Sequence, residues 1–314
     1  MILQTEIKIN PMGQTVRYGD GLLFLGSCFA DEVGGLCRGL GFNAMVNPFG
    51  ELYNPSSIAL ALKRLSTGEP FTPKDVIKVG KDFYCTFSHN TSFWRSSEKA
   101  LLETVNQALE TAHAHYKKAT WIVISLGTSW VYRHKATGDV VANCHKLPAN
   151  QFNREFFTIG QSTRCLTELL GNDDKQFVFT VSPLRHLKDG LHDNQLSKAA
   201  LLMAVNEVCE RFDNAYYFPA YEILLDELRD YRFYKEDMVH PTDQAVRYIW
   251  EKFVDFAINP SEKPAMQAAS ELKQMRHHKP LFPDSDAYRD FQALIEKKVD
   301  TLRRDFPKVC LESL

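Results

Sequence analysis

The chain has 314 residues, with 37 lysines and arginines against 39 aspartates and glutamates and a net charge of −2. That length is ample for a buried core, and 44% hydrophobic with 24% charged residues is an ordinary globular composition, which excludes wholesale disorder. The balanced charge argues against a nucleic-acid partner, and no run approaches the roughly 18 consecutive apolar residues of a membrane helix.

The opening stretch MILQTEIKIN contains Gln4, Thr5, Glu6 and Lys8, so it lacks the apolar centre of a signal peptide. Residues 21–26 are a short apolar run ending in Gly26. Asp31 and Glu32 follow, then Val33, Leu36, Cys37 and Leu40 at helical spacing, with Gly41 as a helix end. This reads as a strand, a tight turn and a helix. Further strand-like runs fall at 43–47, 121–126, 176–181 and 215–218. Helical stretches lie near 56–65, 98–117, 162–170, 194–212 and 242–257.

Strands that are apolar on both faces and alternate with helices imply a parallel sheet covered on both sides. The expected fold is a three-layer α/β/α, doubly wound domain with a five-stranded sheet and a site at the strands' carboxyl ends. A mixed α+β sheet is the alternative. Residues 75–87 read as a hairpin turning at Gly80-Lys81, and 131–143 as another turning near Thr137-Gly138-Asp139, placed to build a pocket wall. Gly171-Asn172-Asp173-Asp174 reads as a helix stop. Residues 261–314 read as two polar amphipathic helices, a C-terminal extension to a domain spanning 1–260.

P-loop, GxGxxG and HExxH patterns are missing, and the seven cysteines (28, 37, 85, 144, 165, 209 and 310) lack CxxC spacing. No cofactor or metal is expected, and reduced thiols in a cytoplasm are the simplest reading. Gly26-Ser27-Cys28-Phe29-Ala30 sits where the first strand meets the first helix. Unpaired helix N–H groups there favour a thiolate or an oxyanion, although Asp31 and Glu32 oppose an added negative charge. The plainer reading is a small-residue turn. In Asp237-Met238-Val239-His240-Pro241, the proline favours a helix start, and Asp237 can curl back to accept an imidazole N–H and orient a base. The plainer reading there is a helix-capping loop.

A small nucleophile after the first strand, with D-x-x-H before the last helix of the domain, resembles the SGNH (GDSL-type) hydrolases. The pentapeptide is similar to the GSCFA family, a branch of that superfamily. Asn47-Pro48-Phe49-Gly50, Leu126-Gly127-Thr128-Ser129-Trp130, Asn143-Cys144-His145-Lys146 and Ser182-Pro183-Leu184-Arg185-His186 belong to the same resemblance, which runs over about residues 5–258. It implies a nucleophile at Cys28 by spacing or Ser27 by chemical type. It also implies an Asp237–His240 base pair and oxyanion donors at Gly50 and at Ser129, which stands where the superfamily has asparagine. Asn143 is a replacement amide donor. Asn143, His145 and Lys146 are expected to line the pocket, and Arg185 and His186 to bind an anionic or polyhydroxyl substrate.

The expectation is a cofactor-free cytoplasmic esterase that removes a small acyl group from a sugar or similar polar alcohol. An acyltransferase using the same site is one alternative. Another is a binding or scaffold protein on the same fold. The expected partner is a small-molecule or carbohydrate ester, and the C-terminal helices are compatible with a homo-oligomer.

Overall fold

The five strand-like runs form one parallel sheet in the computed structural model, which describes residues 5–170 and 174–314. In chain order the elements are β1 (Gly21–Gly26), α1 (Cys28–Arg38), β2 (Asn43–Val46), α2 (Pro55–Thr67), β3 (Val76–Val79), β4 (Phe83–Thr86) and α3 (Glu98–Lys118). Next come β5 (Ala119–Leu126), β6 (Trp130–His134), β7 (Val140–Val141), β8 (Phe152–Phe156), α4 (Ile159–Leu170), β9 (Gln176–Val181) and α5 (Leu191–Arg211). The chain ends with β10 (Ala215–Tyr217), the single turn α6 (Ala220–Glu222), α7 (Asp243–Ala257), α8 (Lys263–His277) and α9 (Asp286–Asp305).

The sheet order is β2-β1-β5-β9-β10, and every neighbouring pair is parallel. The winding direction reverses between β1 and β5. Loops leaving those two strands therefore diverge and open a crevice at the carboxyl edge.

Side-chain alternation along β1 divides the core. Leu22 and Phe24 face a cluster that includes α1 and α7, whereas Leu23 and Leu25 face the cluster of α2, α3, α4 and α5. The C-terminal helices join the first cluster through Ala265, Ala269, Leu272 and Leu302. Cys310 N donates to Gly41 O at 2.7 Å, which ties the C-terminal segment beside α1, and Val16 bridges Ile258 in parallel.

Both hairpins turn where the sequence indicates, and together they build one wall of a cleft against α2. The second is larger than expected, because β8 pairs with the free edge of β6 and makes a three-stranded antiparallel sheet. Asn153, Arg154 and Glu155 hide β8 from an apolar-run reading; an Arg133–Glu155 ion pair at 3.0 Å spans the pairing. Gln4 and the helix stop read at Gly171, Asn172 and Asp173 lie outside the described residues. Among the described residues, no helix is long and apolar enough to cross a membrane.

If the C-terminal helices share the sheet's core, Leu272→Ala, at a side chain only 1% exposed, lowers the denaturation free energy by about 2–5 kcal/mol. Chemical denaturation measures it. A cost below about 1 kcal/mol would contradict the shared core.

Candidate active site

The turn after β1 is a glycine requirement. Gly26 has φ +137°, and a Cβ there would stand 2.1 Å from Ser125 O. Gly26 N donates to Asn47 Oδ1 (2.8 Å) and Ser27 N to Ser125 O (3.0 Å), which ties the turn to both flanking strands. Ser27 then caps α1: its Oγ accepts from Phe29 N at 3.3 Å, hydrogen-bonds with Ser125 Oγ at 2.9 Å, and is buried.

Cys28, the first residue of α1, is half-buried, and its Sγ lies 3.7 Å from Tyr53 Oη. Of the two nucleophile candidates, Ser27 is engaged in capping and Cys28 retains access. Burial raises the Cys28 thiol pKa, with Glu51 and Asp31 adding to the shift and the Tyr53 hydroxyl opposing it. The thiolate expected at a helix start is therefore outweighed, and Cys28 is a protonated thiol at neutral pH. Asp31, one turn further on, is pushed up to about 6, chiefly by burial, while Asn47 Nδ2 donates to it at 2.9 Å.

Asp237 and His240 form the expected pair. Asp237 Oδ1 accepts from Val239 N and His240 N, each at 2.9 Å, and Oδ2 accepts from His240 Nδ1 at 2.6 Å. Met238, at φ +58°, provides the left-handed step that curls the loop. Two backbone N–H groups and the imidazole hold the Asp237 carboxyl down to about 2. Because Nδ1 donates to the carboxylate, a neutral His240 carries its lone pair on Nε2. The two side chains are 44% and 48% exposed.

Arg185 and His186 connect these regions. The Tyr53 ring that touches Cys28 meets the His186 ring edge-on, with centroids 5.9 Å apart. Arg185 stacks over Tyr234 at 4.3 Å and donates to its hydroxyl at 3.2 Å. Tyr234 bridges Pro241, next to His240. Burial, with a smaller contribution from Lys198, pulls His186 down to about 4, so its ring is neutral.

Several expected site groups are engaged elsewhere. Gly50 N donates to Asn47 O at 2.8 Å, so that N–H is not an available oxyanion donor. Ser129 is fully buried; its N–H donates to Ser197 Oγ and its hydroxyl to Ser197 O. His145 is a buried structural histidine, since Trp94 Nε1 donates to its Nδ1 and its Nε2 donates to Thr86 O, both at 2.7 Å. Asn143 Oδ1 accepts from His145 N, which uses that side chain to shape a turn, and Lys146 projects from the turn exposed.

The sequence reading missed Tyr53, Asn194, Ser197 and Lys198. Lys198 Nζ, fully buried, donates at 2.7 Å to Gly127 O and to Ser182 O, the residues just beyond β5 and β9. Burial pulls its ammonium down to about 7. Asn194 Oδ1 accepts from His186 N. A polar series on one face of α5 (Asn194, Ser197 and Lys198, in line with Leu201 and Val205) was the visible signal. No group of three or more His, Cys, Asp or Glu side chains among the described residues is arranged to hold a metal ion.

Two pH dependences follow. With its thiol pKa raised, Cys28 alkylation by iodoacetamide, followed by peptide mass mapping, climbs about tenfold per pH unit through pH 9; a plateau near pH 7 would refute this. The depressed Asp237 carboxylate keeps the Asp237–His240 bond from neutral pH to about 4 and loses it as pH falls towards 2. Imidazole NMR signals report it, and rupture already above pH 5 would contradict the pairing.

The GSCFA family matches residues 21–253, and the C-terminal domain of GSCFA domain proteins matches residues 269–314. No curated protein and no solved structure matches the chain. The first match spans the whole sheet together with Cys28, Asp237 and His240, and the second takes in α9 and most of α8. The chain belongs to the GSCFA family.

Proposed function

We propose that this protein is an SGNH-type ester hydrolase that removes a small acyl group from a sugar or another polar alcohol. The reading rests on one observation, the 2.6 Å bond from His240 Nδ1 to Asp237. A loop serving only to start α7 needs no oriented imidazole, because Thr242 Oγ1 already caps that helix by accepting from Ala245 N. A carboxylate fixing one imidazole nitrogen prepares the other as a general base.

In the proposed reaction Cys28 Sγ attacks the ester carbonyl and His240 Nε2 takes the thiol proton. A protonated thiol needs this base, which gives the dyad its role. Asp237 holds the resulting imidazolium. The oxyanion lies against the start of α1, where the Cys28 N–H has no oxygen partner among the described residues. Collapse breaks the ester C–O bond, and His240 returns the proton to the leaving alcohol. Water, deprotonated by His240, then attacks the thioester, releasing the acid and restoring the thiol. Arg185 and exposed Tyr231, whose ring lies 5.8 Å from the guanidinium, suit a hydroxyl-rich alcohol. A second alcohol in place of water makes the same groups an acyltransferase, and product analysis with added sugar acceptor separates the two.

A binding protein without turnover is the second reading. It is favoured by the engagement of the Gly50 and Ser129 donors inside the fold.

Turnover of p-nitrophenyl acetate by wild type, Cys28→Ala, Ser27→Ala and His240→Ala tests both. The hydrolase reading predicts losses of about a hundredfold or more for Cys28→Ala and His240→Ala. Ser27→Ala stays active but loses about 0.5–2 kcal/mol of stability with its cap. Equal weak rates in all four proteins would overturn the hydrolase reading in favour of the binding protein.

A further inference from the structure

Tyr53 enters the site from the loop between β2 and α2, and the backbone there is fastened to both sides of the crevice. Leu52 N donates to Gly26 O at 2.8 Å, at the end of β1. The Tyr53 carbonyl accepts from Gly127 N at 2.7 Å and from Thr128 N at 2.9 Å, just after β5. The side chain lies against Gly127, where a Cβ would stand 3.1 Å from Tyr53 Cδ1. His186 meets the ring edge-on, and Asn54, the next residue, caps α2. The phenol is held in place from several directions.

Packing accounts for the ring but not for the hydroxyl, since phenylalanine would fill the same space. Tyr53 Oη lies 3.7 Å from Cys28 Sγ and has no other hydrogen-bond partner among the described residues. Burial, reinforced by Cys28, Glu51 and Asp31, holds the phenol well above the ordinary tyrosine range. It therefore stays protonated and able to donate. The site needs such a donor, because the Gly50 and Ser129 groups are engaged within the fold. Glu51 and Asp31, which both oppose ionisation of Cys28, also oppose negative charge on an oxygen beside it. A donor serves an oxyanion from about 2.7–3.1 Å. With Oη 3.7 Å from the sulfur, an oxygen on the carbon that Sγ attacks fits between them within that reach.

We propose that Tyr53 is a catalytic residue whose hydroxyl donates to the oxyanion formed when Cys28 attacks the ester, as a second donor beside the Cys28 N–H. This rests on the hydrolase reading. Sγ bonds to the carbonyl carbon, the C=O π pair moves onto oxygen, and the thiol proton goes to His240 Nε2. Tyr53 keeps its own proton and shares it in the hydrogen bond. When the C–O bond to the alcohol breaks, the pair returns and the carbonyl re-forms.

Tyr53→Phe keeps the ring and removes the donor, and two reactions of Cys28 separate its effects. Ester attack builds an oxyanion, whereas alkylation by iodoacetamide is a substitution at a methylene carbon and builds none. Tyr53→Phe is expected to lower kcat for p-nitrophenyl acetate about a hundredfold. Alkylation of Cys28 is expected to change by less than about fivefold. Equal losses in the two reactions would overturn the proposal, because the hydroxyl would then act on the thiol alone. Undiminished turnover would also overturn it, while leaving the hydrolase reading standing. Wild-type turnover no faster than that of Cys28→Ala would count against the hydrolase reading instead. In that case the adduct of Cys28 with trifluoroacetone, followed by fluorine NMR, decides the role of Tyr53, because thiol addition to the ketone builds the same electron-rich oxygen without turnover. An adduct about tenfold weaker in Tyr53→Phe upholds the donor. An equally stable adduct, or none in wild type, overturns it.

Discussion

The buried ammonium of Lys198 is the constraint on which the carboxyl edge of the sheet depends. Taking an ammonium out of water costs several kcal/mol. That cost is met here by two 2.7 Å bonds to carbonyls, which the side chain can donate as an ammonium or as a neutral amine, and burial pulls its pKa down to about 7. Those carbonyls belong to Gly127 and Ser182, so one side chain fixes the exits of β5 and β9 together. Ser197, the preceding residue, accepts from Ser129 N, and Asn194 accepts from His186 N. Three neighbouring residues of α5 thereby set where the loops after two central strands can run. Arg185 and His186, which meet Tyr234 and Tyr53, inherit their positions from this arrangement.

The same arrangement explains the division of labour at the site. Groups closest to the sheet are satisfied by one another and are rigid for that reason; Ser27, Ser125 and Ser129 are all buried. Cys28 and the Asp237–His240 loop keep greater access to solvent. The nucleophile candidate is a thiol whose burial works against ionisation, and the base candidate is held by a carboxylate that stays ionised to about pH 2.

Local pattern was enough for much of this. Residues 21–26 and 176–181 coincide with β1 and β9, because a parallel strand buried on both faces is a continuous apolar run. The curl of Asp237 onto His240 was legible because it spans three residues. What could not be read was contact at long range. The choice between Ser27 and Cys28 depends on Ser125 and Tyr53, far away in the chain. His145 looked like a pocket residue until Trp94 and Thr86 were placed around its two ring nitrogens. The Gly50 N–H is taken by the turn that Asn47 begins, and Ser129 by a helix almost seventy residues on. β8 escaped notice because a strand on the edge of a small sheet need not be apolar. Lys198 was visible as a cation on an apolar helix stripe, but its meaning lay in carbonyls that only the folded sheet brings to it.

The central claim is that Cys28 carries an acyl group during turnover. Rapid acid quench of the protein with p-nitrophenyl acetate, followed by peptide mass mapping, reads this directly. The account predicts one acetyl group on the peptide containing Cys28, localised to the sulfur, forming much more slowly in His240→Ala. Acetyl on Ser27, or turnover that proceeds with no acetylated Cys28, would contradict it.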